Sequence, residues 1–100
     1  MEREFYRERV VTSAWKLVEL FAAQRELTNA TQLARLVARL APSDERMLRR
    51  VVTMLAKLED RAGAMAVYTR FAARLWKEFE TKPSGETLRL MEAVQRGDAI

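Results

Sequence analysis

Apolar residues recur at three- and four-residue steps along almost the whole chain, and the pattern breaks near residues 25–29, 42–44, 59–61 and 80–84. That period belongs to amphipathic helices and predicts five of them. The first runs from about Glu2 to Gln24. Val11, Ala14, Trp15, Val18 and Ala22 share one face, and Val10, Leu17 and Phe21 widen it. Thr28 or Asn29 is suited to cap a second helix, because a short side-chain oxygen satisfies the free amides of the first turn. This helix carries Ala30, Leu33, Ala34, Val37 and Leu40 and reaches Ala41, where Pro42, lacking an amide donor, ends it. Ser43 reads as the N-cap of a third helix, with Asp44 and Glu45 in the first turn, where the helix dipole favours negative charge. Its apolar face is Leu48, Val51, Val52, Leu55 and Leu58. A fourth helix starts near Asp60, a candidate cap, and carries Tyr68, Phe71, Ala72, Leu75 and Phe79. After an extended break at Glu80–Pro83, Ser84 caps a fifth with Leu88, Met91 and Val94 inward, and Gly97 suits its C-terminal cap. No stretch alternates apolar and polar residues with the period of a strand, so the fold class is all-α.

The helices repeat. A shift of 34 residues aligns Leu17 with Val51, Leu20 with Met54, Phe21 with Leu55 and Ala22 with Ala56. It also aligns Glu26 with Asp60, Ala30 with Ala64, Leu33 with Val67 and Val37 with Phe71. A helix–turn–helix period of 34 is that of the tetratricopeptide repeat. Small residues at Ala30 and Ala64 let the second helix of each pair approach the first, and larger residues beyond them fill the groove between repeats. The expected organisation is one domain over residues 1–100, with repeat one at about 8–41, repeat two at about 43–79 and a capping helix at about 84–97.

The junctions carry a second pattern. Pro42-Ser43-Asp44-Glu45 precedes the third helix, Asp60-Arg61 with Ala64 and Tyr68 opens the fourth, and Pro83-Ser84-Gly85-Glu86-Thr87 opens the fifth. Across almost the whole chain this resembles the bacterial transcriptional activator domain, whose pattern has a Pro-x-Asp-Glu junction, an Asp-Arg-x-x-Ala-x-x-x-Tyr helix and a closing Pro-Ser-x-Glu-Thr. The family's turn glycines are replaced by Arg25, Glu59 and Glu80, which points to altered turns rather than an altered fold. The resemblance implies a helical-hairpin module of a one-component transcription regulator, of the kind that follows a winged-helix DNA-binding domain in antibiotic regulatory proteins. No strand-rich wing fits within these 100 residues, so this chain is expected not to read DNA sequence itself and to be an excised piece or a free-standing relative.

Composition narrows the chemistry. The chain has no Cys and no His, which removes thiolate zinc sites, cysteine nucleophiles and the commonest metal ligand and general base. No Gly-rich phosphate loop is present, and Ser43 and Ser84 sit beside prolines as caps. Glu2, Glu4 and Glu8 alternate with Arg3, Arg7 and Arg9 and read as a salt-bridged solvent face, not as a cation site. No enzyme activity, cofactor or metal is expected. The charged N-terminus is not a signal peptide and no apolar run spans a membrane, so the expected compartment is the cytoplasm.

A net charge of +4 fits, without demanding, an acidic partner. Arg46, Arg50 and Lys57 share a face of the third helix with Arg49 adjacent, Arg70, Arg74 and Lys77 share a face of the fourth, and Arg35 and Arg39 share one on the second. These stripes suit contact with phosphate or an acidic protein patch. The plainer reading, preferred for each, is a solvated face partly paired with Glu45, Glu59 and Glu78. Trp15 and Trp76 read as core or junction residues, and an exposed indole would mark a partner surface. Phe5, Tyr6, Trp15 and Trp76 are the candidates for self-association. The leading expectation is a non-catalytic interaction and activation module whose partner is a neighbouring DNA-binding domain, the transcription machinery or a second copy in a homodimer. The alternative is a free-standing tetratricopeptide-like adaptor that binds a peptide or partner helix and has no transcriptional role.

Overall fold

The computed structural model describes residues 2–100; Met1 and the side chain of Glu2 lie outside it, and with them part of the Glu2/Glu4/Glu8 group. Among the described residues there are five helices and no strand: α1 (Glu2–Ala23), α2 (Leu27–Leu40), α3 (Glu45–Lys57), α4 (Arg61–Phe79) and α5 (Gly85–Arg96). α1 pairs with α2 and α3 with α4 as two hairpins, α2 packs on α3, and α5 lies against both α3 and α4. The array measures 39 × 39 × 17 Å, thin enough for only two layers of helix.

The two hairpins turn alike at the 34-residue register. Glu26 N donates to Phe21 O at 2.9 Å, and Asp60 N to Leu55 O at 2.8 Å. Arg25 N donates to Ala22 O at 3.1 Å, and Glu59 N to Ala56 O at 3.0 Å. Arg25 and Glu59 themselves hold φ of 63° and 62°, and Glu80 after α4 holds 50°. The turns therefore keep a left-handed residue where the family's glycines would stand. The substitution alters the residue and not the turn.

Ala30 and Ala64 are fully buried at equivalent points of the two hairpins. Around Ala64 the core is Val11, Trp15, Val18, Ala34, Val37, Met47, Leu48, Val51, Val52, Leu55, Phe71, Met91 and Val94. The inner stripes of the helices are therefore as their periodicity predicts, but their margins differ. Val10 and Leu17 are exposed, because α1 buries only the face it turns to α2 and α3. Phe79 is exposed where α4 runs out beyond its neighbours, and Leu88 is exposed because α5 turns Thr87 inward instead. α1 has 22 residues against 14 in α2, an overhang of about 12 Å that leaves residues 3–10 without cover from the hairpin.

Capping also differs in part. Asp44, not Ser43, caps α3, its Oδ1 accepting from Met47 N at 2.9 Å, because Asp44 N bonds back to Ala41 O and draws Pro42 and Ser43 into the turn. Glu26 occupies the N-cap of α2 without a side-chain bond, so Thr28 and Asn29 lie inside the helix. Asp60 caps α4, accepting from Gly63 N at 3.0 Å. Ser84 caps α5, and Gly97 ends it at φ 77°.

Candidate functional site

The junction motifs bind the helices to one another. Glu45 in the first turn of α3 accepts the Ser84 amide at 2.7 Å, so the start of α5 is fastened to the start of α3. One turn on, Arg49 donates to Thr87 Oγ1 at 3.1 Å and lies 3.6 Å from the Glu86 carboxylate. That bond satisfies Thr87, the one fully buried polar side chain among the described residues. Arg61 at the start of α4 donates to Gln95 O near the end of α5. Asp60 adds an ion pair with Arg35 of α2 to its cap. Pro-x-Asp-Glu and Pro-Ser-x-Glu-Thr are thus two sides of one joint, while Asp-Arg reaches α2 through Arg35 and the end of α5 through Gln95. Glu45 serves an amide and not an arginine stripe, and Arg49 is committed to holding α5.

With α5 so placed, α1, α3 and α5 enclose a groove of about 730 Å³. Arg46, Arg49, Arg50 and Lys57 from α3 line it, with Arg89 from α5, facing Glu19 and Glu86. Trp15 forms one wall, 6% exposed, with the Arg50 guanidinium 5.5 Å from its ring centroid. That position suits a cation–π contact and holds the guanidinium over the groove. Among the described residues no carboxylate lies within ion-pair distance of Arg46, Arg50, Lys57 or Arg89. The groove therefore presents net positive charge beside an apolar wall, a combination suited to an anionic partner.

A second groove, about 470 Å³, runs between α2 and α4. The stripes Arg35/Arg39 and Arg70/Arg74, separate in the sequence, meet across it over Leu48, Val67 and Phe71. Two of its four arginines are already paired, Arg35 with Asp60 and Arg74 with Glu78 at 3.2 Å. Lys77 lines neither groove.

The aromatic candidates divide. Trp15 is core, as its face implied, and offers no exposed indole to a second copy. Trp76 is 57% exposed and not the core or junction residue preferred from the sequence, because the last turns of α4 pass beyond the helices that cover Phe71. Phe5 and Tyr6 are exposed on the overhang of α1 and meet edge to face, with ring centroids 5.8 Å apart. Sequence reasoning missed Arg89 and Glu19 as groove residues. Arg89 depends on the register of α5 against α3, which the Arg49–Thr87 bond helps set, and Glu19 on the placement of α1 beside α3; periodicity fixes neither.

Repeated hairpins with a left-handed turn, a small-residue crossover and a capping helix define a tetratricopeptide-like helical module. The family model of the bacterial transcriptional activator domain matches residues 1–95, and the chain belongs to that family of transcription-regulator domains. No curated protein and no solved structure matches it. No helix among the described residues is long and apolar enough to cross a membrane.

Proposed function

We propose that this chain is the non-catalytic protein-interaction module of a transcription regulator, and that it engages an acidic protein segment through the groove between α1, α3 and α5. Its organisation is one domain of two hairpins and a capping helix. The observation that carries the reading is the set of four cations, Arg46, Arg50, Lys57 and Arg89, that have no ion-pair partner among the described residues, around the wall made by Trp15. Folded helices that hold such charges at fixed spacing give specificity and rapid encounter with an anionic surface, without any reacting group. Membership in this family supports a partner within transcription, either an adjoining DNA-binding domain or a subunit of the transcription machinery.

A reporter assay tests this, with the chain joined to a heterologous DNA-binding domain and purified RNA polymerase subunits as the binding probe. Arg46→Glu with Arg50→Glu should abolish activation and capture, while Lys82→Glu, outside both grooves and off α1, should leave both unchanged. Full activation by the double variant, with an unaltered helical melt, would refute the groove as the contact.

A further inference from the structure

α1 (Glu2–Ala23) carries a second apolar stripe that no part of this fold covers. Tyr6, Val10, Leu17 and Leu20 are exposed, and with Ser13 they follow one another at steps of four, three, four and three residues. At 3.6 residues per turn, these positions form one seam, roughly 140° around the helix from Val11, Trp15 and Val18, which face the core. A seam of this spacing is the half of a helix–helix interface that knobs-into-holes packing requires. Isolated exposed apolar residues need no explanation, whereas a contiguous apolar row bordered by charge marks an interaction surface.

The charges along α1 are sorted about this seam. Arg9 and Lys16 run along one edge, and Arg3 and Arg7 along the other, all exposed. Glu4, Glu8 and Glu19 lie on the side away from it. Every side chain bordering the seam that carries charge, from Arg3 onward, is therefore basic. We propose that the outer face of α1 docks an amphipathic helix of a partner protein whose apolar stripe is bordered by carboxylates. Flanking charges set partner choice in such pairings. A second copy of α1 is the poorer fit, since an antiparallel two-fold pairing centred near Thr12 and Ser13 brings Arg9 against Lys16, like charge against like. This surface lies away from the groove lined by Arg46 and Arg50, and the proposal stands independently of that groove's role.

The probe is a synthetic amphipathic peptide of about three heptads, leucine at the seam positions and glutamate at every flanking position, with a lysine-flanked twin as control. Titrated into the full chain, the glutamate peptide should bind saturably and the lysine peptide should bind at least about tenfold more weakly. Val10→Glu with Leu17→Glu should remove binding by at least about tenfold while the melting temperature stays within a few degrees, since both side chains are exposed in the free chain. Arg46→Glu with Arg50→Glu should leave peptide affinity unchanged. Equal binding of the two peptides, or none of either, would overturn the proposal. So would sedimentation showing a dimer that the Val10/Leu17 variant dissolves, which would assign the seam to a second copy.

Discussion

Arg25, Glu59 and Glu80 sit in backbone conformations that L residues rarely adopt, at φ of 63°, 62° and 50°. A β-carbon in this region crowds the following carbonyl, and glycine does not have one. Each position terminates a helix whose sequence would otherwise continue it, so surrounding hydrogen bonds impose the strain. Replacing any of the three with Gly should therefore stabilise the fold by about 0.5–1 kcal/mol, after allowing for glycine's freer unfolded chain. Thermal melts should rise by several degrees per substitution; a fall would show that these side chains make contacts outweighing the strain. Gly63 should behave oppositely. Ala is the better helix former, but a β-carbon at Gly63 would collide with Asp60 Oδ2 and the Arg35 guanidinium. Gly63→Ala should cost about 1–3 kcal/mol by disturbing the cap and its ion pair, measured by denaturant titration. An increase in stability would mean that the pair yields at no cost.

At the level of the elements, the small-residue crossover is the point of closest control. Ala64 is fully buried in the second hairpin, whereas Ala73 is exposed on the same helix. Ala64→Leu should lower stability by about 1–3 kcal/mol through overpacking, and Ala73→Leu should be close to neutral. Equal melting temperatures for the two would contradict the packing. Thr87→Val keeps the shape of the α5 contact but leaves the Arg49 guanidinium with the Glu86 carboxylate alone, and should cost about 1–2 kcal/mol. These elements also show what could be read in advance. Inner stripes such as Leu48/Val51/Val52/Leu55 were legible because burial on one face writes a 3.6-residue period directly into the sequence. The sequence favours Ser43 as the cap because composition allows either neighbour, and the choice falls to the turn bond from Asp44 N to Ala41 O. Thr87 was missed as a core position because its burial depends on Arg49, 38 residues earlier in the chain. The groove cations on α3 were legible as a stripe; their meeting with Arg89 required the docking of α5.

Across the whole molecule, stability is distributed unevenly. Of the large fully buried side chains, Val37, Val51, Val52 and Leu55 lie on α2 and α3, with Val18 in the second half of α1 and Thr87 and Val94 on α5. The overhang of α1 has no such support: residues 3–10 are all exposed, and their backbone bonds are held by helix propensity alone. In an array of this kind each element is stabilised mainly by its neighbours, so opening is easiest at an unsupported end. Amides of Arg7–Val10 should accordingly exchange with solvent at least roughly 100-fold faster than those of Val51–Leu55, as read by hydrogen exchange. The indoles give a second reading of the same asymmetry, with Trp76 open to a soluble quencher and Trp15 shielded beneath Arg50. If the glutamate-flanked peptide occupies the α1 seam, protection should rise selectively at Arg7–Val10 and leave Val51–Leu55 as they were. Protection already high at Arg7–Val10 in the isolated chain, independent of concentration, would mean that the overhang is held by something other than a docked helix, and the seam would lose its claim to be an open surface.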